Sequence, residues 1–517
     1  MTRPLVITAS QVSPRSNKRN RPDSSLGCLL GIGPCGRLHS TSFHPGLEVI
    51  HRGILRRNRK ISLVAGLAIA GLLVGACSED STTTTEAPAT SEAPATSDAP
   101  VSTDAPADSP ISAENLAHAV EYIGGTAGVA TGEPYVVGYV NQEGGTPGFP
   151  EASIGVDAAV WYINNYLGGI GGRPIELAEC IITKEEDGQK CAQEMLANDQ
   201  VSVVLAGAML NGNAPLLDGL SGKKPVFISN PLTTPEFLAA DAFAFTPGAP
   251  GVVGGLTVFI AKYLGEIEAK EIKKVAVVFG DNPSGQVAFN VLTKPIFESL
   301  GVEVTGVAAA DTAGATEMAS LIQAAGAQDA DVFYPLVTVG SCIAVYDALA
   351  TLEIETTVVT TGLCFGVPMQ NHLQGLGIDA DLPDGWYFGG YGYSYDIPGN
   401  PDIDAYIEAV FAYAATEGMD AETLEYTGFG GPTFGTLMTI AQFANGGAAD
   451  SEGFRTAAKA FTGPGWGVVG PQKCGGNATF PSLCGFQIGV QQQQGSEYVS
   501  IMDGFNGKPI DAQAELG

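Results

Sequence analysis

The sequence predicts an α/β protein of two lobes, each built on a parallel β-sheet, joined by a hinge and preceded by an export leader. Short apolar, β-branched runs alternate with longer amphipathic stretches from Pro134 onward, which is the pattern of parallel sheets with helical crossovers. About 400 residues follow the leader and its linker, too many for one ordinary core. A basic segment followed by an apolar one ends at a cysteine, as in exported proteins.

Residues 1–76 are predicted to be an upstream extension and a signal peptide. They hold 11 Lys and Arg and two acids, whereas residues 77–517 hold 14 Lys and Arg and 53 acids. The basic stretch HRGILRRNRK (51–60) precedes ISLVAGLAIAGLLVGA (61–76), and sixteen helical residues reach only about 24 Å across a hydrocarbon core of about 30 Å. This favours a signal peptide over a permanent span. Residues 1–50 show no apolar periodicity, so we expect the true start to lie downstream of Met1.

The cysteine that ends the leader is predicted to carry a lipid anchor. The residues VGAC (74–77) resemble the lipobox of bacterial lipoproteins, which implies cleavage before Cys77 and acylation of its thiol. The alternative is a cysteine at the end of a core helix. Residues 77–133 are expected to form the anchored cysteine and a disordered acidic tether, because SEDSTTTTEAPATSEAPATSDAPVSTDAPADSP (78–110) has almost no large apolar side chain.

Six further cysteines predict disulfides in an oxidising compartment. An even number in an exported chain favours disulfide bonds over metal binding, since the spacing is not CxxC. Fifteen pairings are possible, and neighbours along the chain are the economical choice. The predicted pairs are Cys180 with Cys191, Cys342 with Cys364, and Cys474 with Cys484.

Composition excludes several classes of function. A net charge of −30 argues against nucleic-acid binding. After residue 76 the histidines are His118 and His372 alone, too few for a zinc site or a Ser-His-Asp triad. The sequence has no G-x-S-x-G elbow, Walker A loop or G-x-G-x-x-G after a strand. We therefore expect a protein that is not an enzyme and has no metal or cofactor.

The folded body is predicted to contain eight strands and intervening helices. The strands are 135–140, 174–182, 201–207, 225–229, 274–280, 302–308, 331–337 and 356–362, and the helices include 152–167, 284–300, 318–327, 401–418 and 432–445. The first four strands are assigned to lobe 1, 134–250, and the next four to lobe 2, 251–386. Residues 387–462 are expected to return to lobe 1, and 463–517 to form a C-terminal segment on lobe 2.

The order of these elements resembles the periplasmic-type solute-binding proteins of ABC transporters, in the branched-chain amino-acid (Leu/Ile/Val-binding) class. The resemblance runs from about Pro134 to Gly447 and is carried by VGYVNQEGGTPGFPEASIGVDAAVWYINNYLGGIGGRPIELAEC, VVLAGAMLNGNAP and PVFISNPLTTPEF. It implies the type I fold, in which two Rossmann-like lobes close on a ligand. The ligand lies beyond the carboxyl ends of the strands.

Candidate ligand-binding residues follow the strands of lobe 1. Phe149 follows the first strand, where it could wall a pocket or pack under the next helix. Asn211 and Gly212 follow the third strand, where an asparagine could equally be an N-cap. Pro231 and Thr233 follow the fourth strand. In the resembled family the loops matching these last four residues hold a ligand carboxylate through backbone and hydroxyl groups.

The second lobe departs from the resembled pattern. Amino-acid binders present an aromatic residue after the fifth strand and an acid after the eighth, whereas this sequence has Ser284 and Leu363 there. Asp281 could replace the acid or be a solvated turn residue. Tyr391, Tyr393 and Tyr395 could line the cleft or pack at the hinge.

The resemblance implies a lipid-anchored, monomeric component of an ABC-type importer on the outer face of the cell membrane. Its partners would be permease subunits, the membrane through Cys77, and a small amino-acid-like, carboxylate or amide ligand. Two alternatives remain open from the sequence. One is a ligand-sensing receptor module without transport, and the other is a secreted α/β hydrolase.

Overall fold

The computed structural model describes residues 109–144, 148–380, 382–390, 399–421, 423–502 and 509–516. The leader, the predicted signal peptide, Cys77 and most of the predicted tether lie outside these residues, as do Tyr391, Tyr393 and Tyr395. The described chain forms two lobes, each with its own sheet and apolar cores.

Lobe 1 is built on a five-stranded parallel sheet in the order β2-β1-β3-β4-β5. Every residue of its central strand β1 is buried, as expected for a sheet covered by helices on both faces. Its elements, in chain order, are α1 (Ala113–Ile123), β1 (Tyr135–Gln142), α2 (Pro150–Asn165), β2 (Ile175–Ile182), α3 (Asp187–Ala197), β3 (Val204–Ala208), α4 (Asn213–Leu220), β4 (Val226–Asn230), α5 (Thr234–Leu238) and β5 (Ala242–Phe243).

Lobe 2 is built on a larger sheet in the order β12-β11-β10-β9-β8-β6-β7, in which β13 also pairs with β11. Strands β6 to β10 are parallel, and β11 to β13 add antiparallel pairs at one side. Its first part contains α6 (Gly248–Phe259), α7 (Gly265–Ile267), β6 (Lys274–Gly280), α8 (Pro283–Val287), α9 (Lys294–Ser299), β7 (Glu303–Ala309), α10 (Ala315–Ala325), β8 (Val332–Leu336), α11 (Val339–Leu352), β9 (Thr357–Thr361), α12 (Val367–Gly375) and β10 (Tyr387–Gly390).

The chain then returns to lobe 1 and finally to lobe 2. Helices α13 and α14 pack against α2 of lobe 1, as the sequence predicts for the helices 401–418 and 432–445. The remaining elements are α13 (Pro401–Glu417), α14 (Gly430–Asn445), α15 (Ser451–Ala460), β11 (Gln487–Gln494), β12 (Glu497–Met502), β13 (Ile510–Asp511) and α16 (Ala512–Leu516). The chain thus passes between the lobes three times, before α6, before α13 and before β11.

Three predicted domain boundaries are corrected. The segment assigned to a tether as far as 133 contains α1, which buries Leu116 and Ile123 in the core of lobe 1. Residues 387–390 form β10 in the sheet of lobe 2 rather than starting the return to lobe 1. Residues 463–486 lie on lobe 1, where Trp466 joins its core, and only the chain from β11 onward belongs to lobe 2.

The eight predicted strands are all present, and their ends lie within three residues of those predicted, with β6 at the predicted bounds. The helix α6 at the start of lobe 2 was not predicted. It continues through a π-helical turn, Ile260–Leu264, into α7. Among the described residues, this one continuous helix, Gly248–Ile267, is long and apolar enough to cross a membrane. Most of it is buried within the protein, which is the environment of a core helix in a folded domain.

Three disulfide bonds join the predicted pairs of cysteines. Cys180 is bonded to Cys191, Cys342 to Cys364, and Cys474 to Cys484. The first bond ties β2 to α3 in lobe 1. The second ties α11 to the short 3₁₀ turn Gly362–Cys364 after β9 in lobe 2. Two of these three disulfides thus fasten a helix to a strand or to the turn that follows one, and the third joins two loop residues.

Candidate functional site

A cavity of about 540 Å³ lies between the two lobes. This volume is in the range of ligand pockets. Lobe 1 contributes the start of α2, Leu232, part of α13, the loop before α14 and residues 466–468, and lobe 2 contributes 361–366, β10 and Gln491. The start of α6, at the first passage between lobes, closes one side. The cavity therefore occupies the position expected for a ligand held between hinged lobes.

Six aromatic side chains line the cavity. In lobe 1 the rings of Phe149 and Phe429 meet edge to face with centroids 5.2 Å apart. In lobe 2 Phe365 and Phe388 stack with centroids 5.3 Å apart. The remaining two are Tyr406 and Trp466. The walls are accordingly apolar on both lobes, and a ligand that fills the cavity must have a large apolar surface.

Two buried asparagines hold the aromatic wall of lobe 1 in place. The Asn141 side chain, at the end of β1, donates to the Phe149 carbonyl at 2.9 Å and accepts from the Ala208 backbone N–H at 2.9 Å. Asn230, at the end of β4, donates to the Phe429 carbonyl at 3.3 Å. Both asparagines have no exposed surface. The ends of β1 and β4 therefore fix the two loops that carry the rings.

A close approach of α2 to α14 brings these loops together. A Cβ atom added to Gly155 would lie 2.1 Å from the Gly430 carbonyl oxygen, well inside any allowed contact. Only glycine therefore permits this crossing. The Tyr406 hydroxyl donates to the Tyr426 carbonyl, which fastens the loop before α14 to α13. As a result Glu151, on the first turn of α2, lies beside that loop.

Two carboxylates, Glu151 and Glu425, line the cavity on the lobe 1 side. Burial is the main cause that raises the pKa of Glu151 to about 7; a backbone hydrogen bond opposes this rise, and the nearby negative charges of Glu425 and Glu143 add to it. No Lys, Arg or His is among the described residues that line the cavity. The cavity is thus acidic at one side and apolar elsewhere.

Lobe 2 and the C-terminal segment add polar groups to the cavity. Gln491, on β11, is 5% exposed and lines the cavity with no hydrogen-bond partner for its amide among the described residues. The Trp466 indole N–H is buried without a partner. Such groups are costly to bury unless a ligand or water satisfies them. The Gln491 amide is therefore available to a polar group of a ligand, whereas the Trp466 indole N–H has no accessible surface.

The structure brings two of the seven predicted ligand-binding residues into this cavity, Phe149 and Leu363. Phe149 lies just before α2 and packs with Phe429, so it is both a wall of the cavity and a packed aromatic. Leu363 reaches from lobe 2 to the same small apolar cluster. The lobes are therefore in contact at this point.

Four of the other predicted residues, all in lobe 1, do not line the cavity, because their polar groups are used within lobe 1. The Asn211 backbone N–H donates to Gln142 Oε1 at 2.9 Å, and the Gly212 N–H donates to Glu185 Oε2 at 2.7 Å. The carbonyl of Pro231 accepts from the Ala249 N–H. Thr233 is 8% exposed and forms a capping box with Glu236.

The capping box decides where the Thr233 hydroxyl points. This hydroxyl donates to Glu236 Oε2 at 2.9 Å, and the same oxygen accepts from the backbone N–H groups of Leu232 and Thr233. The hydroxyl also accepts from the Asn213 amide at 2.8 Å. A T-x-x-E pattern is visible in the sequence at 233–236. This pattern could have identified Thr233 as a cap rather than a ligand contact.

Ser284 lies on the first turn of α8 and does not line the cavity. The neighbouring Asp281 accepts from the Gln286 side chain on the exposed side of the same loop, which agrees with its interpretation as a solvated turn residue. Among the described residues, no group of three or more His, Cys, Asp or Glu is placed to hold a metal ion. Sequence reasoning missed Glu151, Glu425 and Gln491. Glu151 lies two residues after Phe149 on the first turn of α2, whereas Glu425 and Gln491 lie away from the strand ends that were searched.

Comparison with known families gives one match over most of the folded body. The model of a family described as periplasmic binding protein matches residues 134–483. A comparison with curated proteins gives no match.

Solved structures of similar fold come from bacteria and archaea. A substrate-binding protein of an ABC transporter from Aeropyrum pernix has a TM-score of 0.58 and 14% identity, covering 74% of this chain and 99% of its own. A leucine-binding protein from Thermotoga maritima has a TM-score of 0.55 and 14% identity, covering 72% and 98%. A solute-binding protein from R. palustris in complex with 4-hydroxybenzoate has a TM-score of 0.54 and 16% identity, covering 73% and 95%. These likenesses show the same fold.

Proposed function

From the premise that the chain belongs to the periplasmic binding protein family, we propose that it is the lipid-anchored solute-binding component of an ABC-type importer and holds a small organic ligand between its lobes. The family consists of solute-binding proteins rather than enzymes and acts outside the cytoplasm. The observation that carries the proposal is the cavity of about 540 Å³, to which both lobes contribute walls. Closure of the lobes would enclose a ligand there.

The test of binding is a thermal-shift screen of the full-length protein against amino acids, amides, aromatic acids and amines. Proteins of this fold from other organisms include a leucine-binding protein and two solute-binding proteins in complex with benzoate or 4-hydroxybenzoate. Leucine, benzoate and 4-hydroxybenzoate therefore belong in the screen. We expect at least one solute to raise the melting temperature, because a ligand at 100 times its Kd adds about 2.7 kcal/mol to stability. The solute must be recovered unchanged. Conversion of the solute to a product would contradict the proposal.

The lipid anchor is supported by the basic and apolar leader and by the VGAC sequence that ends at Cys77. Acylation at this position would leave a long acidic segment between the membrane and α1. The test is metabolic labelling with a palmitate analogue in cells that express the wild type, Cys77→Ser or the control Ser81→Ala, which lies in the predicted mature chain. We expect label on the wild-type and Ser81→Ala proteins and none on Cys77→Ser. Equal labelling of all three proteins would contradict the anchor.

Delivery to a permease is the part of the proposal that rests on family membership alone. Genes for permease and ATPase subunits beside the gene for this chain would support import. Co-purification of the chain with those membrane subunits would test it directly. Binding of a solute without such subunits would favour a sensing role in place of transport.

A further inference from the structure

The charge balance of the cavity points to the class of ligand. Glu151 and Glu425 line it, and no cationic side chain does among the described residues. The two arginines of the folded body are used elsewhere. Arg455 pairs with Asp241 at 2.7 Å, and Arg173 donates to the Glu133 carbonyl at 2.9 Å. An anionic ligand would therefore meet negative charge without compensation.

A cation beside Glu151 would reduce the free-energy cost of ionising its buried carboxyl group. Burial and the neighbouring negative charges of Glu425 and Glu143 raise its pKa to about 7. A buried carboxylate is costly unless it is paired with a cation or well hydrogen-bonded. A positively charged ligand group placed beside it would favour the ionised form and lower the pKa again.

The aromatic walls of the cavity also suit a ligand with a positively charged group. Tyr406, Trp466 and Phe429 line the lobe 1 side, on which Glu151 lies, and Phe365 and Phe388 face them from lobe 2. Aromatic faces attract ammonium groups, by about 0.5 to 2 kcal/mol each, and they also pack against apolar groups. A ligand with an ammonium head and an apolar body would use both properties.

Gln491 provides an observation that is independent of the acids. The residue is 5% exposed and lines the cavity from lobe 2, and its amide has no hydrogen-bond partner among the described residues. The amide oxygen can accept a hydrogen bond from a donor such as an ammonium group. The cavity is therefore built to receive a ligand with polar as well as apolar parts.

We infer that the cavity takes a protonated amine with an apolar, preferably aromatic, body, and that Glu151 and Glu425 hold its ammonium group. This inference rests on the proposed binding function and specifies its ligand class. It assigns the charge recognition to the first turn of α2 and the loop before α14 of lobe 1. The strand-end loops predicted from the sequence then have no part in recognising the charge.

The test uses three probes that share a phenylethyl body and differ in charge. Isothermal titration of the full-length protein at pH 8 compares 2-phenylethylamine, 2-phenylethanol and 3-phenylpropionate. We expect the amine to bind at least about tenfold more tightly than the alcohol, because its ammonium group forms a partly buried ion pair with Glu151. The acid should bind most weakly of the three. Glu151→Gln should weaken the amine about tenfold and leave the alcohol unchanged. The control Glu355→Gln, at an exposed position, should change neither.

The pH dependence gives a readout that loss of folding would not imitate. Because the pKa of Glu151 is about 7 in the empty cavity, lowering the pH to about 6 protonates it and should weaken binding of the amine but not of the alcohol. The charged groups that act on Glu151 are Glu425 and Glu143. In Glu151→Gln the difference in amine affinity between the two pH values should largely disappear.

The outcomes separate this inference from the proposed function. The inference is overturned if the alcohol or acid binds as tightly as the amine, or if Glu151→Gln leaves the amine affinity unchanged. It is also overturned if none of the three binds but another solute stabilises the protein equally with and without Glu151→Gln. In each of these cases the binding function stands, provided a solute still binds. If no solute of any class stabilises the protein, the proposed function fails as well.

Discussion

Replacing Glu236 by glutamine should change how the stability of the protein depends on pH. Glu236 has no exposed surface, and burial raises its pKa from 4.5 to about 7, although hydrogen bonds from Leu232 and Thr233 oppose the rise. Its other carboxyl oxygen, Oε1, is buried without a hydrogen-bond partner. The ionised form is therefore disfavoured in the folded protein relative to the unfolded chain.

The sign and size of the effect of pH on the unfolding free energy follow from this pKa. A carboxyl whose pKa is raised on folding stabilises the protein below the unfolded value of about 4.5, and this contribution is lost as the pH rises to about 7 and above. A tenfold change in a protonation equilibrium corresponds to about 1.4 kcal/mol. The difference between 4.5 and about 7 is therefore worth about 3 kcal/mol of unfolding free energy.

The assay is urea unfolding of the wild type and Glu236→Gln between about pH 4.5 and 8. Glutamine does not titrate. The replacement should therefore lower the unfolding free energy most at pH 4.5, and by about 3 kcal/mol less at pH 8. The exposed position Glu355 provides the control, and Glu355→Gln should show no such pH dependence. A difference in unfolding free energy between wild type and Glu236→Gln that stays constant across this pH range would refute the reasoning.

Two further predictions concern the framework of the cavity. The double variant Cys342→Ser, Cys364→Ser opens a loop of 22 residues and should lower the unfolding free energy by about 3 kcal/mol in urea titrations; unchanged stability would mean that the bond is not formed. Gly155→Ala places a Cβ atom 2.1 Å from the Gly430 carbonyl oxygen and should lower the unfolding free energy by about 1 to 3 kcal/mol. In the control Gly314→Ala the added Cβ atom enters open space, so the unfolding free energy should change little. Equal melting temperatures for the two alanine variants would contradict the close approach of α2 to α14.

Eight of the thirteen strands in the described residues could be predicted because each is a continuous apolar, β-branched run with turn residues at its ends. The helix Gly248–Phe259 was missed because it is apolar on all sides and contains four glycines, so it shows neither amphipathic periodicity nor good helix formers. Strand β11 was missed because its QIGVQQQQ sequence reads as low complexity. Its alternate residues, Gln491 and Gln493, are nevertheless buried.

The candidate site could be predicted only in part. Phe149 and Leu363 line the cavity because they follow strands at the edge where the lobes meet. Thr233 does not line it, because Glu236, three residues later, accepts its hydroxyl hydrogen bond. Glu151 and Glu425 could not be found from the sequence, since they meet only when α2 packs against α14 at two glycines far apart in the chain.

The central claim is that a solute binds between the lobes, and Trp466 can test it directly. The chain has three tryptophans, so the variant Trp161→Phe, Trp386→Phe leaves Trp466, which lines the cavity, as the only indole fluorophore. Titration with 2-phenylethylamine, leucine and benzoate, each also followed by melting temperature, should give a saturable change in Trp466 emission for every solute that stabilises the protein. A solute that raises the melting temperature and leaves Trp466 emission unchanged would contradict the claim.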